Sequence, residues 1–150
     1  MSLYGLDVVE AHWPVDGPHT AERIESAAVA LSELVRYLNH ATRPQVGALT
    51  EAPHGAGVLG SLATAAHREG QLYRQLASWA RRVAADPTVR HDRCRDDAER
   101  SHQMATWSAT QSGATLDDAA TVAEQLAARL DVAHSGVNWL SHERPGGDRA

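Results

Sequence analysis

Among the residues able to do chemistry, four acid-x-x-His spacings stand out: Asp16/His19, Glu51/His54, Glu99/His102 and Asp131/His134. On a helix this spacing puts a carboxylate and an imidazole on one face, a turn apart. Two such pairs from different helices, joined by a glutamate from each of two others, form the ligand set of carboxylate-bridged di-iron bundles. Glu99/His102 and Asp131/His134 fall on two separate predicted helices, and Glu69 and Glu33 could complete the set. With His67 of the second predicted helix included, the candidate metal ligands are His67, Glu69, Glu99, His102, Asp131 and His134. Counts and faces weigh against them. Nineteen acids and nine histidines in 150 positions give about one such spacing by chance, and two of the four fall in predicted loops. Asp131 and His134 lie beside the apolar seam of their helix rather than in it, and Glu33 lies opposite the seam of its own. Surface i,i+3 pairs are the favoured reading, with a metal- or small-ligand-binding bundle as the alternative.

The remaining reactive patterns carry less. His67, His102 and His134 could form a three-histidine site resembling that of DinB-like bundles, but the close histidine pair near the C-terminus is missing, because His134 and His142 are eight apart. Gly55-Ala56-Gly57-Val58-Leu59-Gly60 fits G-x-G-x-x-G, which needs a strand before it. Thr50 to His54 cannot be that strand, so the segment reads as a glycine-rich helix start, with an anion on exposed N–H groups as a lesser reading. Arg129 and His134 match an Arg-x4-His spacing at chance frequency. Arg93 and Arg95 beside the lone Cys94 favour its thiolate, yet one cysteine in a polar connection reads as incidental. The chain contains no lysine, so a lysine-bearing phosphate loop is excluded, and no Gly-x-Ser-x-Gly elbow occurs. No cofactor is expected.

These residues must be held by helices, because every long periodicity is helical. Ile24, Ala28, Leu31, Val35 and Leu38 recur at four, three, four and three, predicting an amphipathic helix from an N-cap at Thr20 to about His40. A longer helix begins between Glu51 and Gly57 and ends at Asp86-Pro87, its seam being Leu59, Leu62, Ala66, Tyr73, Leu76, Ala80 and Val83, with Leu72 and Trp79 on one flank. A third starts at Asp96-Asp97 and weakens at Ser112-Gly113. A fourth starts from a capping box at Thr115 to Asp118 and carries Leu116, Ala119, Ala123, Leu126, Leu130, Ala133, Val137 and Leu140. The third and fourth could equally be one long kinked helix, since a glycine costs only about 1 kcal/mol in a helix interior. The expected fold is an all-α antiparallel four-helix bundle. Its parts are an apolar N-terminal arm over residues 1–19, the bundle over 20–142 and a frayed tail over 143–150.

Composition narrows the class further. About 150 residues suit one domain with an adequate core, and no apolar run reaches the roughly 18 residues of a membrane span. The first residues lack the basic and apolar regions of a signal peptide, so a cytoplasmic protein is expected. Twenty-seven alanines against a single isoleucine are the residue usage of a GC-rich genome. The segments Val35 to Pro44 and Gln75 through Trp79 to Asp86-Pro87 and His91-Asp92 resemble uncharacterised small helical proteins of Streptomyces-type actinobacteria. That resemblance implies a source and a helical fold, and no activity.

Charge is unevenly placed. Residues 1–67 hold three arginines and seven acids, 68–95 seven arginines and three acids, and 96–150 four arginines and nine acids. Arg68, Gln75 and Arg82 share heptad spacing, as do Arg74 and Arg81, so basic groups flank the seam of the second helix. Pairing with the acidic helices accounts for part of this. An overall pI near 5.9 argues against a nucleic-acid backbone as partner, leaving a nucleic-acid accessory role as the third reading. The leading expectation is a non-enzymatic interaction module that self-associates as a homodimer or binds an acidic protein, with Arg74, Trp79, Arg81 and Arg82 as partner-binding residues.

Overall fold

The computed structural model describes residues 4–141, and in them the chain is all-helical with no strand. The elements are α1 (Tyr4–His12), α2 (Ala21–Ala41), α3 (Ala52–Ala85), a single 3-10 turn at Asp92–Cys94, and α4 (Ala98–Val137). The segment expected as an arm thus contains a helix, and the expected third and fourth helices are one continuous helix. The tail expected over 143–150 lies outside the described residues. No helix among those described is long and apolar enough to cross a membrane. The chain divides into two compact units, residues 1–50 and 51–150.

In the first unit, Thr20 caps α2 as its sequence predicts, accepting a hydrogen bond from the Arg23 N–H at 3.3 Å. The Thr20 hydroxyl and the Glu22 backbone together hold the Glu22 carboxyl below its ordinary value, the backbone hydrogen bond contributing most. Arg23 then ties the two helices, its guanidinium donating to the His12 carbonyl oxygen at 2.8 Å, one of the acceptors left open where α1 ends. Between α1 and α2 runs an apolar cleft of about 580 Å³, with Val8, Val9 and Trp13 on one wall and Ala30, Leu34 and Tyr37 on the other. The half-buried positions of α2 are Arg23, Ala27, Ala30, Leu38 and Ala41. The face turned towards α1 is therefore displaced by about one residue from the predicted 24/28/31/35/38 seam, of which only Leu38 is half-buried. No residue of α2 is fully buried.

The second unit is a long helical hairpin. Its helices run antiparallel, since Gly60 lies against His134, Gly70 against Ala120 and Ala77 against Gly113. The buried positions of α3 are Ala56, Ala63, Ala66, Gly70, Ala77 and Ala80, and those of α4 are Ser101, Ala105, Gly113, Ala120, Ala123 and Ala127. Spacings of seven, three and four make this a coiled-coil seam whose knobs are the smallest side chains, so the axes approach closely. Of the predicted seam, only Ala66 and Ala80 are fully buried. Leu59, Leu62, Tyr73 and Val83 are half-buried, while Leu72, Leu76 and Trp79 are exposed. At the predicted break, a Cβ on Gly113 would stand 3.4 Å from the Ala77 carbonyl oxygen and 3.5 Å from Arg81 Cγ. A methyl there would be at ordinary contact distance, so the glycine is a small seam residue inside one continuous helix. Thr115, read as a cap, is internal to α4 and donates its hydroxyl to the Gln111 carbonyl.

The connection between the two helices is pinned at both ends. Asp86 ends α3 and accepts from both the Thr88 N–H and hydroxyl, at 2.8 and 2.6 Å. Asp97 caps α4 by accepting from the Arg100 N–H. Buried Ser101 donates its hydroxyl to the His91 carbonyl at 3.0 Å and accepts from the His91 N–H at 2.8 Å. The His102 ring lies 3.2 Å from the Val89 carbonyl.

Candidate functional site

One side of the hairpin is closed by a ladder of three polar pairs, two of them arginine–carboxylate ion pairs. His67 meets Asp131 at 2.8 Å, Arg74 meets Glu124, and Arg81 donates to Asp117 at 2.7 Å. The three α3 residues are one heptad apart and so are their α4 partners, so a single register sets all three. Each side chain is about half-exposed, which leaves the pairs screened by water.

The opposite side is apolar. On α3, Val58, Leu62, Ala65, Leu72, Leu76, Trp79 and Val83 recur at four, three, seven, four, three and four. At 100° per residue this second stripe lies roughly 110° round the helix from the alanine seam, on the flank away from the ladder. The same construction on α4 places Ala119, Val122, Leu126 and Ala133 beside it. Trp79 is 55% exposed, Val122 62% and Leu126 46%. Monomeric proteins rarely leave such a contiguous strip to solvent. A pair of helices can bury only one stripe on each, and here the alanines occupy that place. The stripe is interrupted by Glu69, half-buried and accepting a 3.5 Å hydrogen bond from the Tyr73 hydroxyl. Burial, followed by the charge of Glu69, raises the Tyr73 hydroxyl above its ordinary pKa.

The candidate metal ligands do not converge. Both acid-x-x-His pairs of the expected set sit on α4, 32 residues apart, which is about 48 Å along one continuous helix. The reading that placed them on two helices fails because Gly113 does not break α4. His67 and Asp131 do meet across the hairpin. His134 instead lies over Gly60, its Nε2 at 3.2 Å from where a Cβ would stand. Glu99 accepts from Gln103, and His102 faces the α3–α4 connection. Among the described residues no three histidine, cysteine, aspartate or glutamate side chains form a metal-binding group. The G-x-G-x-x-G segment is the first part of α3, with Pro53 in its first turn and open space around Gly55 and Gly57.

Of the residues expected to bind a partner, Arg74 and Arg81 belong to the ladder, Trp79 stands in the apolar stripe, and Arg82 is exposed at its outer edge without an ion pair. Much of the basic block is held within the unit: Arg90 donates to the Pro87 and Val89 carbonyls and Arg95 to Asp92. Sequence reasoning missed that the Leu/Trp stripe and the core seam are separate faces of α3. The heptad recurrence of alanine and glycine at 56, 63, 66, 70, 77 and 80 was the available signal. The chain matches no protein-family model, no curated protein and no solved structure.

Proposed function

We propose that this chain is a protein–protein interaction module that self-associates as a homodimer through the apolar face of the α3/α4 hairpin. The observation that carries the reading is the second heptad stripe of α3, from Val58 to Val83, with Leu72, Leu76 and Trp79 exposed and its other members half-buried, beside a seam already filled by alanine. Trp79 is its anchor, because a large flat side chain contributes most where it becomes fully desolvated. The α1/α2 cleft is a second apolar surface, with His12, Glu33 and Tyr37 also in its lining. The test is sedimentation of the full chain at tens of micromolar, beside Trp79→Asp and Leu126→Asp. The wild type should sediment as a dimer, and both variants as monomers with unchanged helix content by circular dichroism. A monomeric wild type, or variants that dimerise as well as it does, would overturn the reading.

A further inference from the structure

We infer that the apolar face of one hairpin receives the same face of a second copy with α3 lying against the partner copy's α4. The two hairpins then close an antiparallel four-helix bundle whose two-fold axis runs along the helices. This rests on the interaction reading above and specifies how the two copies pair.

Area is sufficient for a second hairpin. The stripe from Val58 to Val83 is about 38 Å long, and two helices side by side are roughly 20 Å wide. That gives on the order of 750 Å² per copy, close to the ~800 Å² per partner of a standard stable interface.

Charge selects the pairing. Face-to-face hairpins can set α3 against α4 or α3 against α3. Outside the ladder, α3 keeps Arg68, Arg82 and Glu69, and α4 keeps Glu99, Arg100, Asp118 and Arg129. Like helices opposed would leave the in-face Glu69 and Arg129 on different helix pairs. Unlike helices opposed would pair them, which favours that encounter and penalises the other.

Individual residues agree. The apolar face contains one charge on each helix within its span, Glu69 on α3 and Arg129 on α4, and they are of opposite sign. They are related by the same register that joins His67 to Asp131, Arg74 to Glu124 and Arg81 to Asp117. A two-fold axis along the helices preserves that level, so Glu69 of one copy comes level with Arg129 of the other. At the outer rim, Arg82 and Asp118 each follow a ladder residue by one position, are exposed, and make no ion pair. The same axis brings them to one edge, opposite in sign. Each pair occurs twice in the dimer, as an isologous interface requires.

The test is site-directed cross-linking in the full chain with Cys94→Ser as background. Gln75→Cys and Gln125→Cys are made separately, at exposed polar positions on the outer edges of α3 and α4. A bismaleimide is chosen that spans neighbouring helices, whose axes lie about 8–10 Å apart, but not a bundle diagonal. The two variants, mixed and equilibrated, should be joined to each other, and neither should be joined to itself. Self-joining of Gln75→Cys would overturn the α3-against-α4 pairing while leaving self-association standing. Absence of joining in a mixture that sediments as a dimer would place the interface elsewhere and overturn the inference. A monomeric wild-type chain would overturn both the inference and the reading beneath it.

Discussion

Gly113 of α4 lies against Ala77 of α3 so closely that a Cβ on the glycine would stand 3.4 Å from the Ala77 carbonyl oxygen. Gly70 occupies the corresponding place on α3, its absent Cβ 3.5 Å from the Ala120 carbonyl. Each helix thus supplies a glycine where the other supplies an alanine, one heptad apart. A methyl at Gly113 would meet its neighbours at ordinary contact distance and gains about 1 kcal/mol of helix propensity, so Gly113→Ala should raise the midpoint of urea unfolding. Gly113→Leu must push the helices apart along the seam and should cost about 1–3 kcal/mol, the range of overpacked cores. An unchanged midpoint for the leucine variant would show that the seam is looser than this geometry.

Much of the helical layout was legible in the sequence, because helix ends are local. Thr20, Asp86 and Asp97 act where their types and neighbours place them, through hydrogen bonds within three residues. What was not legible depended on the partner helix. Hydropathy favours leucine over alanine, so the Leu72/Leu76/Trp79 stripe looked like core, whereas the opposing helix selected the stripe that permits the closest approach. Gly113 followed by Thr115 looked like a break and a fresh cap, whereas the glycine is a seam position facing Ala77 inside a continuous helix. The acid-x-x-His pairs lost their common centre for that reason alone.

Ser101 fastens the α3–α4 connection by bonding both the N–H and the carbonyl of His91 from a buried position. Ser101→Ala leaves the His91 carbonyl without that donor, and should cost about 1–2 kcal/mol. The His91 N–H keeps a second acceptor in the Ser101 carbonyl at 3.1 Å, which limits the loss. Thermal unfolding reads the stability, and amide exchange over residues 88–94 should quicken selectively. Uniform quickening across α3 and α4 would contradict the local role.

Asp86 has its carboxyl held below its ordinary value, chiefly by the Thr88 hydroxyl and then by the Thr88 N–H. A group depressed on folding stabilises the native state above its unfolded pKa, near ~3.9 for aspartate. That contribution is lost as pH falls through the lower folded value. Thr88→Val removes the hydroxyl and keeps the shape, so the Asp86 carboxyl followed by NMR should titrate closer to the ordinary aspartate value. An identical titration in both chains would assign the depression to another group.

The ladder should set register more than stability. Arg81 and Asp117 are about half-exposed, at 52% and 47% of their side-chain area, and pairs of that kind couple by roughly 0.2–1 kcal/mol. A double-mutant cycle of Arg81→Ala and Asp117→Ala should return a value in that range and shrink towards zero in molar salt, where the Debye length falls to about 3 Å. Register is a different quantity, because sliding one helix by a single turn misaligns all three pairs, while sliding it by a heptad loses one pair, gives the other two new partners and moves Gly70 and Gly113 from opposite Ala120 and Ala77. Reversing every α3 ladder charge, with His67→Glu, Arg74→Glu and Arg81→Glu, opposes like charges throughout and should lower the unfolding midpoint far beyond the cycle value. Reversing the α4 side as well, with Asp131→Arg, Glu124→Arg and Asp117→Arg, should restore it. A stable triple variant without that second set would show that alanine packing alone specifies how the hairpin closes.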